Sequence, residues 1–145
     1  MTLFKKKRDM FPVFLLGSLI GILGVHIIAL VESLYYTFWW LDIVLHFAGG
    51  FWVGSFLFYL YYYSFRESFR ASFPLAVFII VSGAAFVGIG WEIFEFAMDA
   101  IHVPFLGIGI SGKALLADTL LDLVMDMVGA LFAATFFLWR KTHAS

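Results

Sequence analysis

The 145-residue chain contains no cysteine, no asparagine and no glutamine. Without cysteine there are no disulfides, no thiolate metal sites and no cysteine nucleophile. Without carboxamides, the polar groups available inside the protein are hydroxyls, imidazoles and ionisable side chains. Charge is also scarce: 13% of residues are Asp, Glu, Lys or Arg, where ordinary soluble domains carry about 25%. Nine cations set against ten acids, for a formal net charge of −1, exclude a nucleic-acid surface. What fills the space is apolar, 63% of residues being hydrophobic and 21% aromatic. A soluble domain of this length would leave much of that surface in water, so the bilayer is its solvent. Four spans of about 20 residues use most of the chain, and the expectation is a single integral membrane domain over 1–145, all-α, with no separate soluble module.

The spans are read at about 10–31, 38–63, 73–100 and 114–139, giving a four-transmembrane-helix bundle. The first follows the basic run Lys5, Lys6, Lys7 and Arg8, but its apolar stretch is too long for a signal peptide and no small-residue cleavage site follows; an uncleaved helix is expected. Pro12 and Pro74 stand where helix-starting prolines belong. Aromatic residues mark two interfaces, Tyr35, Tyr36, Trp39 and Trp40 at one side and Tyr59, Tyr61, Tyr62, Tyr63 and Trp139 at the other. Lys and Arg in short loops stay cytoplasmic. Eight of the nine cations fall on the side of the two termini, with Lys113 the exception, which puts the N and C termini in the cytoplasm. Gly17, Gly21 and Gly24, Gly50 and Gly54, and Ala84, Ala85 and Gly88 recur at helical spacing; they are expected to allow close helix contact, within the chain or in a homo-oligomer.

The acids gather on the outer side. Apart from Asp9 and Glu67, every one lies in the outer half: Glu32, Asp42, Glu92, Glu95, Asp99, Asp118, Asp122 and Asp126. At about 100° per residue, Asp42 and His46 share a face, Glu92, Glu95 and Asp99 lie within about 60°, and Asp118, Asp122 and Asp126 drift through about 80°. Three helices thus carry acidic stripes at one depth, and a charge turned toward lipid is expensive. The stripes are expected to face one another. Carboxylates in so small a volume need a counter-charge, and Lys113 is the only outer cation. Shared protons or a bound divalent cation supply it; oxygen-rich sites with imidazole suit Mg, Ca, Mn, Fe or Zn, and helical bundles build such sites.

Some of these residues have simpler readings. Asp42 can serve as a helix cap and Asp118 can favour the start of the last span through the helix dipole; Glu32 and Asp99 are expected to be solvated at the interface. Glu92, Glu95, Asp122 and Asp126 are deeper and away from helix starts, so capping does not account for them. His26 lies deeper in the first span with no acid at helical spacing, and His102 and His143 fall in loops or ends. The run Gly107 to Lys113, GIGISGK, imitates a phosphate loop, but Ala114 stands where the metal-binding hydroxyl belongs and no strand precedes it. It is read as a Gly-rich loop over the acidic mouth, where Lys113 and Ser111 would contact an anionic group of a substrate.

Three motifs, D-x-x-x-H-F-x-G-G from Asp42 to Gly50, W-E-x-x-E-F from Trp91 to Phe96, and D-x-x-x-D-x-x-x-D-x-x-G-A from Asp118 to Ala130, resemble the VanZ-like membrane proteins and the related YjdF-type inner-membrane proteins. VanZ-like proteins often have Gln or Asn where this chain has Glu95 and Asp126. The resemblance implies an all-helical membrane protein working at the outer face on envelope lipids, and supplies no reaction.

Three functions follow as expectations. In the first, Glu92, Glu95, Asp122, Asp126 and Asp118 hold a divalent metal that polarises a phosphate or ester of a lipid-linked substrate and activates water, with His46 or a carboxylate as base and Asp42 orienting His46: a metal-dependent hydrolase or transferase. In the second, the cluster is the binding site of a cation or proton transporter. In the third, it is a structural metal clasp in a binding or assembly protein. The chain offers no recognisable nucleophile.

Overall fold

The computed structural model describes residues 10–62, 72–100 and 113–143, with the side chains at 99–100, 113–115 and 141–143 outside that description. Helix α1 spans Phe11–Val31, α2 Leu34–Thr37, α3 Trp40–Leu60, α4 Phe73–Ala100 and α5 Lys113–His143. No strand occurs among the described residues. Four helices contain stretches long and apolar enough to cross a bilayer, Phe11–Val31, Trp40–Leu60, Phe73–Met98 and Leu116–Arg140, so the protein is a multi-pass membrane protein. Pro12 in the first turn of α1 lacks only an N–H that the helix leaves unpaired anyway.

The short helix α2 has no counterpart in the sequence reading. Ser33 takes a left-handed backbone conformation, φ 53°, where the chain turns between the end of α1 and α2. Tyr36, Trp39 and Trp40 are exposed, as interface aromatics should be. Tyr35 departs from that expectation and is 7% exposed, because the turn at Ser33 folds it inward.

Helices α3 and α5 form the closest pair, with α4 against both. The reason is lateral and specific. A side chain at Gly50 would collide with the backbone of Asp126, one at Gly54 with Ala130, and one at Gly129 with the backbone of Phe47 and Phe51. Small residues therefore let two backbones approach where lipid offers no hydrophobic incentive for association. At the end of the bundle where α1 begins, Phe58, Ala76, Ile80, Ala134 and Leu138 form a buried apolar core. Phe11 of α1 adds to it, its ring 5.0 Å from that of Phe137 and 6.0 Å from that of Phe58.

Helix α1 is held more loosely. The Trp52 indole donates to the Leu15 carbonyl at 2.7 Å, joining α1 to α3. Its glycines behave differently from Gly50 and Gly54: among the described residues, a side chain at Gly17, Gly21 or Gly24 would meet nothing within 4 Å. The close contact expected for this stripe is therefore not made among the described residues.

Candidate functional site

His46, on the second turn of α3, is 6% exposed and sits at the centre of the acidic stripes. Its Nε2 has Asp42 Oδ1 at 3.8 Å, Glu92 Oε1 at 3.9 Å and Asp122 Oδ1 at 4.0 Å. These three oxygens come from α3, α4 and α5 in turn. On the other face of the ring, Nδ1 lies 3.5 Å from Asp126 Oδ2, at the outer limit of a hydrogen bond. Two sets of donor atoms are close enough to share an ion: Asp42, His46 and Asp122, and His46, Glu92 and Glu95.

The helices position each side chain for local reasons. Asp42 stands in the first turn of α3, where the helix dipole favours a carboxylate, and four residues before His46. Asp122 and Asp126, again one turn apart, are 3% and 7% exposed. Gly88 of α4 leaves room for the Asp126 carboxylate, which would otherwise meet a side chain there. Glu95 Oε1 accepts from the Trp91 indole at 2.7 Å, one turn back along α4. Glu92 Oε1, the atom turned toward His46, is buried and has no hydrogen-bond partner among the described residues.

The structure therefore brings together Asp42, His46, Glu92, Asp122 and Asp126 within 4.0 Å of one imidazole, with Glu95 beside them. Asp126, read from sequence as a ligand, lies on the Nδ1 side, while Asp42, read as the group orienting His46, lies on the Nε2 side with Glu92 and Asp122. Asp118 is half-buried one turn further out and belongs to neither ion-sized set. Because α5 begins at Lys113, Asp118 is past the first turn, and the helix-start account does not apply to it. Ser111 and His102, the GIGISGK run up to residue 112, and the side chains of Lys113, Asp99 and His143 lie outside the described residues.

One part of the site was not expected. His26 Nδ1 and the Tyr35 hydroxyl are hydrogen-bonded at 2.7 Å, and the His26 ring stands edge-on to Trp91 at 5.6 Å. Burial holds the Tyr35 hydroxyl above the usual tyrosine range, with the charges of Asp42 and Glu95 adding to it, so it keeps its proton. The sequence gives no signal for this pair, which depends on the backbone turn at Ser33. Polar groups and an apolar space meet here: a cavity of about 280 Å³ reaches from His46, Asp42 and Glu95 between α1, α3 and α4.

The family model described as "Predicted membrane protein (DUF2238)" matches residues 1–143, and the chain belongs to that family. No curated protein matches the chain, and no solved structure does.

Proposed function

We propose that His46, Asp42, Glu92 and Asp122 bind a divalent cation, and that through it the protein binds or acts on envelope lipid or a lipid-linked substrate at the outer face of the membrane. The observation that carries this reading is the convergence of three carboxylate oxygens from three helices on one imidazole nitrogen at 3.8–4.0 Å. That spacing is too long for hydrogen bonding. It approaches the separation of about 3 to 4 Å between ligands of one ion at bond lengths of about 2.0–2.2 Å. The unpartnered, buried Glu92 Oε1 adds support, since a buried carboxylate oxygen without a partner is costly. Asp126 on Nδ1 is the outer partner that metal-bound histidines use to fix ring orientation. Glu95 extends the donor set, which suits hard or borderline divalent ions such as Mg, Ca, Mn, Fe or Zn.

Held by His46, Asp42, Glu92 and Asp122, such an ion would supply Lewis-acid polarisation of a phosphate or ester and activation of water, and a carboxylate outside its coordination would serve as base. Lys113 and Ser111 would contact the anionic group of the substrate. The distribution of cations supports an extracytoplasmic position for the cluster. The VanZ-like and YjdF-type motif resemblance favours a role at envelope lipids. Transport through the bundle is disfavoured because the layer inward of the cluster is the buried apolar set Phe58, Ala76, Ile80, Ala134 and Leu138. The hydroxyls nearby, Ser55 and Thr135, are satisfied by their own helices.

Thermal unfolding of purified protein tests the metal: chelator lowers the midpoint and a divalent ion restores it, whereas an unchanged midpoint rules out both the catalytic and the clasp roles. Release of phosphate from a lipid-linked phosphate in liposomes, dependent on that ion, separates enzyme from clasp. Cation flux under a gradient would reinstate transport. A Ser111→Cys variant should label from outside intact cells, and labelling only after breakage overturns the orientation.

A further inference from the structure

The cavity has a direction. Leu19, Leu23, Val53 and Val87 wall its apolar body, and His46, Glu95 and Asp126 close one end. Along α4 it runs from Ala84 to Glu95, about 16 Å at about 1.5 Å per residue. Its mouth lies between α1 and α4: Leu23 and Val87 line the cavity from opposite sides yet are 42% and 48% exposed, and among the described residues the two helix backbones nowhere come within 8 Å. Both walls belong to membrane-crossing segments, so the mouth opens sideways onto hydrocarbon. In that solvent an apolar slot is filled by a hydrocarbon chain. At about 280 Å³ it sits at the small end of ligand pockets, which suits one chain and excludes two.

The polar end decides the headgroup. The carboxylates around His46 would repel a bare anion, and a divalent ion held by His46, Asp42, Glu92 and Asp122 would offset that charge for an anionic phosphate. We infer that the cavity binds the alkyl chain of a single-chain lipid phosphate, which enters laterally between α1 and α4 and presents its phosphate at His46; the inference rests on the metal reading above. Gly49 supplies the tool to test it. It lines the cavity, and a Cβ there would meet nothing within 4 Å, so a large side chain can start at this wall and occupy the slot.

The experiment measures dodecyl phosphate, dodecyltrimethylammonium and inorganic phosphate retained by the full chain in phosphatidylcholine nanodiscs, with metal content and unfolding midpoint recorded on the same samples. The wild type should retain dodecyl phosphate saturably. Gly49→Phe and, from the opposite wall, Val87→Trp should weaken that retention about tenfold or more, with metal content and midpoint unchanged and inorganic phosphate equally weak on all three. The inference is overturned if both variants retain dodecyl phosphate like the wild type, if the ammonium compound is preferred, or if inorganic phosphate binds as tightly as the alkyl phosphate. A metal-free wild type that still retains dodecyl phosphate, with Gly49→Phe blocking it, overturns the metal reading alone and supports the chain site.

Discussion

At the end of the bundle where α1 begins, α3, α4 and α5 meet through Phe58, Ala76, Ile80, Ala134 and Leu138; at the opposite end the same three helices meet through His46, Glu92, Asp122 and Asp126. The apolar set needs nothing further. Its nearby hydroxyls bond their own carbonyls, and exposed apolar residues surround it. The polar set is a concentration of acidic groups around one imidazole, with a buried oxygen left without a partner among the described residues. Packing alone explains the first arrangement. It does not explain the second, where the cost of gathering like charges calls for shared protons or a bound cation.

That contrast can be broken from either end. The largest effect is expected for His46→Leu, which removes the imidazole on which the buried carboxylates converge: about 3–5 kcal/mol of stability, together with loss of any response to chelator, measured by thermal unfolding in micelles. Phe58→Ala should cost about 2–3 kcal/mol, below the aqueous range for such truncations because lipid is as apolar as the core. Metal content should be untouched; a parallel loss of metal would mean that the two ends are not independent. Tyr35→Phe should cost about 1 kcal/mol through the lost bond to His26, read in the same melts, and no change would show that the pair is incidental to the outer end. The smallest effect belongs to Gly21→Ala, a gain of about 0.5 kcal/mol, since the helix interior prefers Ala and no neighbour stands in the way. A loss at Gly21, or a change in oligomeric state by light scattering, would show that the α1 stripe pairs with a second copy.

Much of this architecture is legible in the sequence, for physical reasons that differ by residue. The four helices announce themselves because uninterrupted apolar runs have only one stable form in a bilayer. The meeting of Asp42, His46, Glu92 and Asp122 follows from helical period and from the cost of turning acids to lipid. Which face of His46 each acid addresses is not legible, because Asp122 and Asp126 share a stripe and only the pitch of α5 against α3, set by Gly50, Gly54 and Gly129, separates them. Gly17, Gly21 and Gly24 look the same in sequence as Gly50 and Gly54, yet one set faces open space and the other a backbone. The Tyr35–His26 bond and the lateral mouth between α1 and α4 depend on where α1 sits, which a loosely packed helix does not encode in its own periodicity.

Whether the cluster around His46 holds a metal is decided by elemental analysis of the purified protein, alongside Glu92→Gln and Asp122→Asn variants shown to fold. The wild type should carry about one or two divalent ions per chain, lost in both variants; a metal-free wild type whose unfolding midpoint does not move with chelator or added ion would overturn the proposed metal site.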